Sequence, residues 1–193
     1  VVEAFKWLGF SATWVSPTGA FSGSLKLGDN QMVVIAPQPR ERNAELHAFL
    51  AASRGASIAL APDGAQLDIL PMLLRERRVD FVPLSIDKLH AVGGDYDPEQ
   101  ALRNLAQNNP NAVTVATNEQ TAIAIAGGWV LREDAFKVNA LVPGEGKGAA
   151  FFAAFLANYL ESDGHVRQAL LAGHANVASF AKFTARIRIS LRT

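Results

Sequence analysis

Short apolar runs alternate along this chain with segments whose apolar residues recur every three or four positions. Met32-Val33-Val34-Ile35-Ala36 is β-branched, is stopped by Pro37, and reads as a buried strand. Residues 41–54 place Leu46, Phe49 and Leu50 on one helical face, with Gly55 as the stop signal. Ser57-Ile58-Ala59-Leu60-Ala61 repeats the strand pattern and is closed by Pro62-Asp63-Gly64. A helix is predicted over 67–78, with Arg75, Arg77 and Arg78 near its C-terminal end, where cations suit the helix dipole. Val79-Asp80-Phe81-Val82-Pro83 predicts a third strand, followed by a short helix over 86–92 that Gly93-Gly94 ends. Asp97-Pro98-Glu99 opens a helix running through Gln107, and 112–116 is the next strand. Strands separated by helices in this way indicate βαβ units and a parallel sheet.

Beyond residue 120 the pattern changes. Residues 121–126 and 129–132 flank Gly127-Gly128 and predict a hairpin. Two long helices follow, over 148–161 and from 165 to about 182, joined by Ser162-Asp163-Gly164. Arg186-Ile187-Arg188-Ile189-Ser190-Leu191-Arg192 alternates with period two and predicts a solvated edge strand with one basic face. No repeat, linker or low-complexity tract interrupts the 193 residues, so a single domain, 1–193, is expected.

Charge and composition narrow the chemistry. The 18 Lys and Arg balance 18 Asp and Glu, which argues against a general nucleic-acid binder. The chain has no Cys, which excludes a disulfide scaffold, a thiolate zinc site and a cysteine nucleophile. No apolar run approaches the roughly 18 residues of a membrane span, and residues 1–9 lack the basic start and apolar core of a secretory signal. The expectation is a cytoplasmic protein with no membrane partner. His47, His90, His165 and His174 share no ligand spacing, no G-x-S-x-G elbow occurs, and Gly146-Lys147-Gly148 does not complete a P-loop. Trp7, Trp14 and Trp129 form no stacking ladder for nucleic acid.

One segment carries a resemblance. Gly144-Glu145-Gly146-Lys147-Gly148-Ala149-Ala150-Phe151-Phe152-Ala153-Ala154-Phe155 resembles the signature D-T-x-G-A-G-D-A-F-x-A-G-F of the PfkB/ribokinase family of carbohydrate kinases. Aligned on the phenylalanines, Gly146-Lys147-Gly148 falls on G-A-G and Ala150-Phe151 on A-F. Arg78-Val79-Asp80-Phe81-Val82-Pro83 resembles the strand before the family's N-x-x-E, Ala175-Asn176-Val177-Ala178 its A-N-A-A helix beside the adenine pocket, and residues 2–9 the helix after its first glycine motif. The resemblance implies a ribokinase-like three-layer α/β/α fold with a mostly parallel sheet. It also implies a phosphate-holding glycine turn at a helix N-terminus, and ATP or ADP with magnesium as ligands. Cofactor-binding positions carried over are Gly146, Lys147, Gly148, Asn118 and Asn176, with Asp87 as the remaining magnesium-organising acid.

The departures from that signature are as informative. The family's catalytic aspartate, which takes the proton from the attacking hydroxyl, falls on Ala149. Glu145 precedes the glycine turn and is the nearest carboxylate in sequence. N-x-x-E has become Leu84-Ser85-Ile86-Asp87, and T-x-G-E-x-G has become Ala116-Thr117-Asn118-Glu119-Gln120-Thr121. Asn118 replaces a glycine with a residue that tolerates the left-handed conformation. Residues 19–30 form a short Gly/Ser-rich connection where the family has a lid, so the lid and the first strand are either absent from the protein or lie outside this sequence. An apolar face left by a missing lid would favour a protein partner or a second copy.

The combined expectation is a kinase-fold protein with impaired catalysis that acts by binding nucleotide or phosphate, or as a subunit. The alternative is a working ATP-dependent sugar or nucleoside kinase. Lys147 reads as a phosphate ligand or as a solvated loop lysine, and Asn176 as an adenine-pocket residue or as a satisfied buried amide. Phe151, Phe152, Phe155 and Leu156 read as core.

Overall fold

The computed structural model describes residues 32–35, 40–52, 57–94, 97–137 and 146–190. The expectations for residues 2–9 and 19–30, for Gly144 and Glu145 and for the end of the chain after Ser190 lie outside these. Strands β1 (Met32–Ile35), β2 (Ser57–Leu60), β3 (Phe81–Ser85), β4 (Val113–Thr117), β5 (Thr121–Ala126) and β6 (Trp129–Asp134) form one sheet in that spatial order. β1 to β4 are mutually parallel, with Met32 opposite Ser57 and Phe81 opposite Val113. Helices α1 (Asn43–Ala52, after a 3-10 turn at Arg40–Arg42), α2 (Ala65–Arg75), α3 (Ile86–Gly93) and α4 (Pro98–Ala106) provide the crossovers that parallel strands require. β5 and β6 are a hairpin turned by Gly127 and Gly128, both at positive φ, as a two-residue turn of this kind demands. Helices α5 (Lys147–Glu161) and α6 (Val166–Ser190) follow.

The chain divides into two compact units. Of the described residues, one holds Met32 to Thr117 together with Ile123–Val130; the other holds Asn118–Ala122 and those from Leu131 onward. In the first, Leu60, Leu70, Leu74, Val82, Leu89 and Leu102 are wholly or almost wholly buried. The apolar character of β2 to β4 follows from parallel strands being covered on both faces. Leu46, Phe49 and Leu50, predicted to share a face, are buried together there.

Asp80 fixes the register at the start of three strands. Its backbone N–H donates to the Ile58 carbonyl at 2.8 Å, its carbonyl accepts from Val113 at 2.7 Å, and its carboxylate accepts from the Ile58 N–H at 2.8 Å. With Asp80 engaged in this way, β3 begins at Phe81, two residues later than its hydrophobicity predicts.

Two helix boundaries follow from their end chemistry. α3 is capped by Ser85, whose hydroxyl accepts from the Lys88 N–H at 3.3 Å, and ends at Gly94. α4 is capped by Asp97, which accepts from Glu99 and Gln100, with Pro98 at its first position. Gly93 lies so close to α4 that an added Cβ would stand 2.6 Å from the Ala101 carbonyl oxygen. α2 ends at Arg75, before the basic cluster is complete, because Arg77 takes a positive φ of 53° and leaves the helix.

The C-terminal prediction is corrected. Arg186 to Ser190 continue α6 and do not form an edge strand. No Gly or Pro follows Gly173 to stop the helix, and Ala, Lys and Arg favour its propagation. Period-two alternation over seven residues is outweighed by a helix already nucleated upstream.

In the second unit, α5 and α6 pack together. Ala150 through Ala157 are all buried, as the apolar run predicts. Phe151 stacks on Phe155 with ring centroids 6.3 Å apart, and Phe155 on Tyr159 at 6.1 Å. Gly173 of α6 is required by this packing, since a Cβ there would lie 2.6 Å from the Phe151 ring.

Candidate functional site: the N-terminus of α5

Residues 118–122, the outer part of β6 and the two long helices bring together the positions that matter. The turn between β4 and β5 is built by Asn118. Its side-chain oxygen accepts from the backbone N–H groups of Gln120 at 2.8 Å and Thr121 at 2.9 Å, and its own N–H donates to the Thr121 carbonyl at 3.0 Å. Asn118 tolerates the left-handed conformation but does not use it: among the described residues only Arg77 and Asp163 do so without being glycine. A short amide that can bond the N–H groups two and three residues ahead offers the turn a cheaper solution than a left-handed backbone.

β6 secures the other side of this turn. The Glu133 carbonyl accepts from the Thr121 hydroxyl at 3.2 Å and from His174 Nε2 at 3.1 Å. The Ala135 N–H donates to the Gln120 carbonyl at 2.7 Å. Because a carbonyl can only accept, Nε2 of His174 carries the proton, which defines its neutral tautomer. His174 is buried edge-on to Phe151 (5.1 Å) and Phe136 (6.4 Å), and desolvation holds its pKa below the ordinary value of 6.5 against the opposing pull of Glu133 and Asp134. The Glu133 carboxylate accepts from Arg167 at 2.6 Å.

α5 starts at the glycine turn. Gly146 is left-handed (φ 85°) and offers no side-chain cap, although its carbonyl accepts the first helical bond, from Ala150 at 2.9 Å. The first turn, Lys147-Gly148-Ala149-Ala150, contains no acid. Gly148 has helical backbone, yet among the described residues nothing lies within 4 Å of the place its Cβ would occupy, so none of them covers the backbone there. Lys147 at the head of the helix faces the positive end of the dipole, an unfavourable position for a cation. It is compensated by Glu119 from the β4–β5 turn, whose carboxylate accepts from Lys147 Nζ at 3.0 Å.

The structure therefore joins Gly146, Lys147 and Gly148 at one helix end, with Ala149 as the third helical residue. Glu119, beside Asn118 in sequence, is part of the same cluster, and its arrival could not be read from spacing, because 28 residues separate the ion-paired partners. Asn176 is buried on α6 and donates to the Ala150 carbonyl at 2.8 Å, tying α6 to the first turn of α5. Asp87 lies exposed in the first turn of α3, in the other unit. Among the described residues no group of three His, Asp or Glu assembles around a point that a metal could fill. The described helices include none long and apolar enough to cross a membrane.

No protein-family model and no curated protein matches the sequence. Solved structures do. The chain is similar to an adenosine kinase from Sinorhizobium meliloti, with 20% identity and a TM-score of 0.64 over 82% of this chain and 52% of that one. It is also similar to a probable sugar kinase from Rhizobium etli, with 20% identity and a TM-score of 0.61 over 75% and 45%. An aminoimidazole riboside kinase from Salmonella enterica, complexed with aminoimidazole riboside and an ATP analog, matches with 18% identity and a TM-score of 0.57 over 71% and 51%. The chain spans about half the length of these structures. The fold is thus of the PfkB/ribokinase type, with α/β architecture and a sheet that is parallel through its first four strands.

Proposed function

We propose that this chain is a ribokinase-like protein that binds a phosphate-bearing ligand, of the nucleotide class, at the N-terminus of α5 and lacks the group that would make the site a kinase. The observation that carries the reading is Ala149: it is the third residue of α5, in a first turn with no acid, at the position where the resemblance implies a proton acceptor. Phosphoryl transfer rests mainly on positioning and charge stabilisation, but the attacking hydroxyl must still lose its proton. A methyl group cannot receive it.

The binding half of the reading rests on the same turn. Gly146 aims the chain into the helix, Gly148 leaves the backbone uncovered, and Lys147 adds a positive charge to the positive end of the dipole. These features suit an anion with several acceptor oxygens. When bound, a nucleoside triphosphate would supply the transferable group; the residues of this chain supply only its seat.

A second reading, a working ATP-dependent kinase, is favoured by one observation: Glu119 carries a carboxylate to within 3.0 Å of Lys147. Calorimetry with ADP and a coupled ADP-release assay over a panel of sugars and nucleosides separate the two. The expected result is millimolar or tighter ADP binding without turnover above the no-enzyme rate, and turnover appearing in Ala149→Asp. Turnover in the unaltered chain that Glu119→Gln removes would instead establish the second reading.

A further inference from the structure

We propose that Glu119 is an intramolecular competitor that occupies Lys147 until a multiply charged phosphate displaces it; this rests on the anion site proposed above. The turn that carries Glu119 is fixed on both sides. Asn118 bonds the N–H groups of Gln120 and Thr121, and Ala135 bonds the Gln120 carbonyl. Glu119 therefore reaches Lys147 from a set backbone position, while its own side chain remains 78% exposed. The Lys147 side chain is more enclosed, at 24% exposure, so its ammonium is held at the helix end with the Glu119 carboxylate on it.

The charge balance sets what the latch admits. Lys147 and Glu119 together contribute no net charge, so a singly charged anion meets a neutral pair and a competing carboxylate. A pyrophosphate group carries several charges and many acceptor oxygens, and it can take Lys147 from a single exposed carboxylate. An exposed ion pair is weak, which makes the latch reversible. In this arrangement, discrimination between polyphosphates and small monoanions comes from a residue that touches no ligand in the bound state.

The test uses inorganic pyrophosphate and isothermal titration calorimetry on the unaltered chain, Glu119→Gln, Lys147→Met and the double variant, with chloride and acetate as monoanion probes. Glu119 is exposed, so its amide variant is expected to fold, and thermal melts verify this. Glu119→Gln is expected to tighten pyrophosphate binding about fivefold, the upper worth of an exposed pair, and to let acetate compete where it does not in the unaltered chain. The gain is expected to vanish in the Lys147→Met background. Measurable pyrophosphate binding that Glu119→Gln leaves unchanged or weakens overturns the latch alone. An equal gain with Lys147 absent overturns it too, since net charge then explains the effect. No binding in any variant overturns the anion site and the latch with it.

Discussion

The starts of α4 and α5 solve the same physical problem in opposite ways. Each leaves backbone N–H groups without helical partners. At α4, Asp97 accepts from two of them, Pro98 presets the backbone, and Glu99 lies in the first turn, where it pairs with Arg103 at 2.8 Å. Every choice favours the helix. At α5, a glycine stands at the cap, a lysine comes first, a glycine with open space follows, and no acid is present. Against the choices made at α4, the lysine and the glycine inside the first turn lower helix stability. Local rules broken together, beside a sheet and core that obey them, mark a place where something other than stability has shaped the chain.

The largest expected effect breaks the comparison at its charged residue. Lys147→Met should weaken pyrophosphate binding by about tenfold to a hundredfold, the worth of a hydrogen bond to a charged group. Asp97→Ala should leave that affinity unchanged. Equal losses in both variants would mean that helix integrity, not the lysine, governs binding. The converse effect is expected in thermal unfolding. Asp97→Ala should cost about 1 kcal/mol, lowering Tm by roughly 2–4 °C in a chain of this size, because the cap supplies real hydrogen bonds. Smaller again is Gly148→Ala. It should raise stability by about 0.5–1 kcal/mol, the gain of alanine over glycine in a helix, and weaken pyrophosphate binding by filling the open approach. A gain in stability with no loss of affinity would remove Gly148 from the site.

The alternation of strands and helices was legible from residue 32 to 134 because the periods are clean and the stops are chemically explicit: Asp97-Pro98 opens α4, Gly94 closes α3, and Gly127-Gly128 turns the hairpin. The glycine turn before α5 and its apolar run were legible for the same reason, as local patterns. What could not be read depends on long-range contacts. Glu119 reaches Lys147 across 28 residues, and His174 reaches the Glu133 carbonyl across 41. Asp80 reads as one residue of a strand, yet its bonds to Ile58 delay β3. Asn118 shows a different limit: its backbone tolerance is legible in its residue type, but its side chain's ability to bond its own turn decides the conformation.

The smallest test asks whether the two regions also part company in acid. His174 braces the α5 side through Phe151 and the Glu133 carbonyl, and burial depresses its pKa below 6.5. The unfolded chain, with an ordinary histidine, therefore binds more protons than the folded one between the depressed value and 6.5, so stability rises with pH through that window. The contribution of neutral His174 is complete above about pH 6.5 and is lost as pH falls toward the folded pKa. On the other unit, Asp63 pairs with Lys88 at 3.2 Å, and the lysine holds its carboxyl below the ordinary 3.8. That contribution persists down to about pH 3.8 and is lost only below it. Hydrogen exchange, corrected for intrinsic rates, should then show α5 and α6 amides opening more readily between pH 6.5 and 5 while α2 and α3 amides hold, and His174→Gln should flatten the first response. Simultaneous loosening of both sets over that range would show that the acid response belongs to the whole chain and would separate it from His174.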